Sequence, residues 1–145
     1  MKKTLRSLAL AAGLATMSLA AFAQQTGTLR IEFLGPGGHS SNNYGRTSAL
    51  HAAGRTAILI QQSAPAGSYV ITNLTGGNSV NSIASDGLIE IKLTAADATA
   101  YQALVTAVTN AANAGATAEN NFRGVKVGDL TAGAPAWIRT TVAPL

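Results

Sequence analysis

Two histidines, His39 and His51, are the imidazoles of this chain, and it contains no cysteine. His39 is followed by Ser40 and Ser41, which supplies the residue types of a base beside a nucleophile. Sequence neighbours rarely form a working Ser–His pair, however, because the base must approach the hydroxyl from another element and be oriented by a carboxylate. Carboxylates are scarce here, and no Gly-x-Ser-x-Gly turn occurs. A dinuclear zinc peptidase site needs about five His, Asp or Glu ligands and a carboxylate base. The two histidines lie twelve residues apart, with no His-x-Asp, Glu-Glu or His-Glu-x-x-His around them. The lack of cysteine removes thiolate nucleophiles and thiolate metal sites. Gly35-Pro36-Gly37-Gly38 lacks the Gly-Lys-Ser/Thr or the helix-opening Gly-x-Gly-x-x-Gly of a phosphate cradle, and reads as a tight turn. His51, with Arg55 four residues on, reads as a surface or partly packed histidine. The residues therefore predict no intrinsic catalysis, no resident metal and no cofactor.

The elements that must carry these residues follow from periodicity. Thr28 to Leu34 alternates, with Leu29, Ile31 and Phe33 on one face and Arg30 and Glu32 on the other, the pattern of a half-buried strand. The Gly-Pro-Gly-Gly run ends it. Thr47 or Ser48 caps a helix running to about Gln62, with Leu50, Ala53, Ala57, Ile58 and Ile60 as a broad apolar stripe. Tyr69 to Thr75 is a strand, ended by Gly76-Gly77-Asn78. Gly87 to Leu93 alternates again, Ile89, Ile91 and Leu93 opposite Glu90 and Lys92. Thr94 is expected to cap a second helix, with Asp97 as its capping-box acid and Gly115 as its stop. Tyr101, Leu104, Val105, Val108, Ala111 and Ala112 form the apolar face of that helix. Gly124 to Leu130 is expected to be the last strand, with Val125 and Val127 inward. The order strand–helix–strand–strand–helix–strand predicts an α+β, ferredoxin-like β-α-β-β-α-β sandwich: one four-stranded antiparallel sheet with two helices on one face.

The first 23 residues have the organisation of an export signal. Lys2, Lys3 and Arg6 precede an apolar run from Leu8 to Ala20, and Ala21-Phe22-Ala23 is a small-x-small cleavage site. The apolar run is shorter than the ~20 residues that span a bilayer. The expectation is residues 1–23 as signal peptide, 24–131 as the domain and 132–145 as a C-terminal tail in which Trp137 could pin the chain to the domain. The mature protein is expected to be periplasmic or secreted, with no membrane attachment after cleavage. The formal charge is +4, but three of the ten basic residues lie in the signal, leaving seven against six acids in the remainder. No basic stripe remains to neutralise phosphates, so nucleic acid is not an expected partner.

Two segments resemble a known family. Gly35-Pro36-Gly37-Gly38-His39-Ser40-Ser41, then Gly45 and the helix from Ala49 to Ile60, is similar to the start of the lid, or dimerisation, domain of the M-twenty zinc metallopeptidases. That group includes acetylornithine deacetylase, succinyl-diaminopimelate desuccinylase and peptidase T. Gly76-Gly77-Asn78-Ser79-Val80-Asn81-Ser82-Ile83 resembles the same domain's Gly-Gly-x-x-x-Asn-x-Ile-Pro turn, and Ile91-Lys92-Leu93 falls where the family has a strand ending in Arg. The resemblance covers about Leu29 to Leu130. It implies the same sandwich fold, inserted in full-length relatives into a zinc-binding catalytic domain and paired with its twin. It implies that His39 corresponds to a histidine that crosses the dimer and stabilises the oxyanion in the partner's active site. It implies substrate contact for Asn81 and, at Lys92, the place of an arginine that binds the substrate carboxylate. Ala84 departs from the family's Pro, and Lys92 loses the bidentate fork of Arg.

Both halves of the zinc domain are absent from this sequence, so the expectation is a non-enzyme: an exported, non-catalytic dimerisation-like domain acting in protein–protein interaction, as a homodimer. The strand Tyr69 to Thr75 would be a sheet edge without charge or Pro, which makes Tyr69, Ile71 and Asn73 candidates for strand-to-strand pairing. Two alternatives are an accessory lid that completes a separately encoded zinc hydrolase through His39, and a binder of small peptides or acyl-amino acids through Asn81 and Lys92.

Overall fold

The computed structural model of the protein describes residues 23–145, so the expected signal lies outside the described residues. In chain order the elements are β1 (Gln25–Leu34), β2 (Gly38–His39), α1 (Ala49–Ser63), β3 (Tyr69–Thr75), β4 (Ser82–Ile83), β5 (Asp86–Ala95), α2 (Ala98–Phe122), β6 (Leu130–Thr131), β7 (Ala134–Pro135) and β8 (Arg139–Pro144). The main sheet has the order β3-β5-β1-β8 and is antiparallel throughout. Both helices cover one face, which gives the ferredoxin-like α+β sandwich.

The alternation of β1 sets the layers. Leu29, Ile31 and Phe33 are buried under the helices together with Ile89, Ile91 and Leu93 of β5. The opposite face is solvated, and there Arg30 pairs with Glu32 at 2.7 Å and reaches Glu90 across the strands at 3.5 Å. The register Leu29↔Ile91 and Arg30↔Glu90 places like faces together, so a slip by one residue would turn the apolar row to water.

Two expected boundaries move, each for a physical reason. Ser48 caps α1 as anticipated, accepting from His51 N at 3.4 Å. The second helix is capped by Asp97, whose carboxylate accepts from Ala100 N at 2.8 Å, and not by Thr94, which remains in β5 opposite Thr26. Gly115 does not stop α2. It sits where α2 crosses α1, and a side chain there would meet Thr56 Oγ1, with Thr56 N at 2.9 Å and Ala52 O at 3.0 Å. The helix ends instead at Gly124, with φ +66°: Gly124 N donates to Asn121 O and Val125 N to Asn120 O, a Schellman closure.

The fourth strand is also displaced. Residues 124–129 turn rather than extend, since Gly124 and Gly128 both hold positive φ and Val127 is 81 % exposed. The strand is β8, from the segment expected to be a tail, paired with β1 from Leu29↔Pro144 to Leu34↔Arg139. Trp137 is only half-buried, and the pin is its neighbours. Ile138 enters the core, Asn120 of α2 holds both its N–H (2.7 Å) and its carbonyl (3.3 Å), and Thr47 Oγ1 donates to Ala136 O at 2.6 Å.

Gly115 offers a contest of signs. Alanine is the better helix former by ~1 kcal/mol, yet the added methyl would press on α1 backbone atoms that cannot rotate away. Gly115→Ala is expected to lower stability by about 1–3 kcal/mol in urea unfolding, and a rise in stability would show that the helices have room to part.

Candidate functional site

His39 stands on a small hairpin outside the main sheet. Gly35 N donates to Ser85 O at 2.8 Å, and the chain then turns through Gly37 (φ +64°) and Gly38 (φ +133°). A Cβ at Gly37 would meet that of Ser85 at 2.9 Å, and one at Gly38 would meet Asn43 Nδ2 at 2.7 Å. These glycines bring β2 beside β4 in the register His39↔Ser82, and Ser40 N donates to Asn81 O at 2.9 Å. The loop beyond folds back, Asn43 giving both its backbone N–H and its side-chain amide to His39 O at 3.0 Å.

The imidazole is exposed and held at both nitrogens. Ser41 N lies 3.3 Å and Ser41 Oγ 2.8 Å from Nδ1, while the Asn81 amide lies 3.2 Å from Nε2. A backbone N–H can only donate, so in its contact with Ser41 N the Nδ1 atom is the acceptor. The Asn81 side-chain nitrogen faces Nε2, and its Oδ1 accepts from Ser79 Oγ. In the tautomer with its proton on Nε2, this exposed ring can donate to an oxyanion. With no carboxylate at Nδ1, it lacks the orienting partner of a hydrolytic base.

Among the sequence candidates, His39 and Asn81 are thus brought together. Lys92 is not part of this group. It is exposed on the helix-free face of β5, six residues from Asp86 and so about 20 Å along the strand from the hairpin end. Tyr69, Ile71 and Asn73 lie on β3, which is an edge strand; Tyr69 and Ile71 pack partly against the core, and a bulge interrupts the register between Ile71 and Asn73. No group of three or more His, Cys, Asp or Glu is placed to hold a metal ion among the described residues.

A second cluster was not foreseen. Glu119 of α2 is fully buried, and its carboxylate accepts from Ser48 N (3.1 Å), Arg55 Nε (3.2 Å) and Arg123 Nε (3.3 Å). His51 Nδ1 is 3.7 Å away. Arg55 and Arg123 also lie over the Phe122 ring, 5.0 and 4.9 Å from its centroid. An acid in the last turn of a helix faces the negative end of its dipole. The N-terminus of α1 and two guanidiniums offset that cost here. The signal was present in the sequence: Leu104, Val108, Ala111, Gly115 and Glu119 continue one stripe at three- and four-residue spacing, hidden once Gly115 is read as a stop. The His51/Arg55 pair noted on α1 converges on this carboxylate.

No family model matches the chain, and no curated protein matches it. Solved structures do. An aminobenzoyl-glutamate utilization protein from Klebsiella pneumoniae superposes with TM-score 0.66 at 13% identity, over 83% of this chain and 28% of its own. A hydantoinase/carbamoylase family amidase from Burkholderia ambifaria gives 0.65 at 21% identity, over 84% and 27%. A tripeptidase from Staphylococcus aureus gives 0.59 at 15% identity, over 83% and 29%. The chain spans less than a third of each of these structures. At these identities the likeness is one of fold.

Glu119→Gln keeps the shape of the side chain and removes its charge, leaving Arg55 and Arg123 without their counter-ion. We expect a stability loss of about 2–3 kcal/mol in chemical denaturation, with weaker hydrogen-exchange protection at the start of α1. An unchanged midpoint would show that the cluster is electrostatically idle.

Proposed function

We propose that the chain is an exported, non-catalytic domain related to the dimerisation domains of peptidases and amidases, and that it forms homodimers by joining β3 to the β3 of a second copy. The two sheet edges are unequal. β8 carries Arg139 and Pro144, residues that blunt an edge, whereas β3 carries neither charge nor Pro. A bulge between Ile71 and Asn73 divides the strand, and Val70 on the segment before it is 60 % exposed.

The carrying observation is the flank of α1 beside that edge. On α1, Ala52 and Thr56 meet α2. By the helical repeat, Gly54, Ala57, Ile58 and Gln61 fall on the opposite flank, toward β3. Ile58 is 56 % exposed, and the space where a Cβ of Gly54 would stand is open. An exposed isoleucine next to a glycine notch is suited to the same helix of a second copy when the sheets join. The export signal in the sequence supports action outside the cytoplasm, and no helix of the described residues is long and apolar enough to cross a membrane.

A second reading rests on a different observation, the exposed His39 held by Asn81. In it the domain serves as a separately encoded lid, offering His39 to a zinc hydrolase domain that lacks one.

Light scattering over a dilution series is expected to give a dimer. Val70→Lys, or Ile58→Glu on the helix flank, should shift it to monomer with an unchanged far-ultraviolet circular dichroism spectrum. A wild-type chain that stays monomeric at every concentration would end the homodimer reading. For the lid reading, hydrolysis by the protein mixed with a lidless zinc domain should fall on the order of 100-fold on His39→Ala; equal activity with and without His39 would exclude it.

A further inference from the structure

A groove of about 280 Å³ runs between the His39 hairpin and the Glu119 cluster. Arg46, His51 and Arg123 line it, with Leu50, Ile83 and Ala84 supplying an apolar part. The local charges do not balance. Glu119 compensates one guanidinium, but Arg55 and Arg123 both bond to it, and Arg46 forms no ion pair among the described residues. Arg46 uses one donor, Nη1, on Gly37 O at 3.1 Å, and Arg123 uses its Nε on Glu119. A guanidinium has five N–H donors, so both retain several for a ligand. The nearby acid Asp129 lines a separate groove on the other side of Arg46 and accepts from Lys126 N at 2.7 Å.

From this we propose that the groove binds a small aliphatic carboxylate. Its oxyanion would be gripped by Arg46 and Arg123, and its hydrocarbon body would lie on Leu50 and Ile83. Two guanidiniums lining one small groove repel each other, and a bound anion removes that repulsion while gaining charge-assisted hydrogen bonds. The volume is at the small end for ligand sites, which fits a molecule with one charged group and a short chain. The site does not involve Lys92, and it does not depend on how copies of the chain associate.

Calorimetric titration with butyrate and, in parallel, with inorganic phosphate at constant ionic strength tests this on the purified protein. Saturable butyrate binding is expected. Arg46→Gln should weaken it about tenfold or more, while Arg139→Gln, which removes a cation of β8 that does not line the groove, should leave it unchanged. Arg46 bonds only to a loop carbonyl, so its replacement spares the Glu119 cluster, and an unchanged melting curve verifies this. The same titration on Val70→Lys should give the wild-type result, which separates this site from the dimer reading. Absence of saturation, saturation by phosphate alone, or equal binding by Arg46→Gln would overturn the proposal.

Discussion

A carboxylate with no exposed surface must be matched by positive charge on every side it can reach, and the arrangement around Glu119 follows from that requirement. Its partners come from three places: the backbone at the start of α1, Arg55 two turns further along that helix, and Arg123 at the end of α2. The two helices are thereby fixed end to end as well as face to face. Asn120, the next residue, holds Ile138 and so sets the entry of β8 into the sheet. Thr47, beside the cap of α1, bonds to Ala136 in the same returning segment. One buried acid thus sits at the point where both helices and the last strand are brought to register.

The close helix crossing belongs to the same design. Gly115 and Ala52 remove side-chain bulk, which lets α2 approach the backbone of α1 at Thr56. The hydroxyl of Thr56 is buried there without a hydrogen-bond partner, a cost that the packing of this crossing tolerates. Because the interior is built largely from alanines and β-branched residues, the helices lie close to the sheet, and stability depends on close fit more than on large side chains. No disulfide is available to compensate for a loose fit.

Much of the architecture was legible because it rests on periodicity. The alternation of β1 and β5 gave the core face, and Ser48 gave the start of α1, since a cap is a local hydrogen bond between near neighbours. The bounds of β3 were equally plain, a β-rich run between Pro/Gly turns. The reading failed where one residue type serves two purposes. Glycine was taken for a helix stop at position 115, where it permits close approach, while the true stop was Gly124. Val125 and Val127 have the composition of a strand, but the glycines that flank them hold backbone conformations a strand cannot use. The strand lay further on, in Thr-Thr-Val, a run too short to stand out.

The sequence by itself determined the fold class and the solvated and buried faces of the sheet. These are consequences of spacing, and spacing is local. Only the tertiary structure decided that Lys92 stands apart from His39, that the tail supplies an edge strand, and that Glu119, Arg55 and Arg123 share one site with Arg46 close by. Those residues are separated by as many as 77 positions in the chain, and a charge far away in sequence leaves no periodic trace. Their convergence exists only because the crossing of two helices brings the end of one to the start of the other.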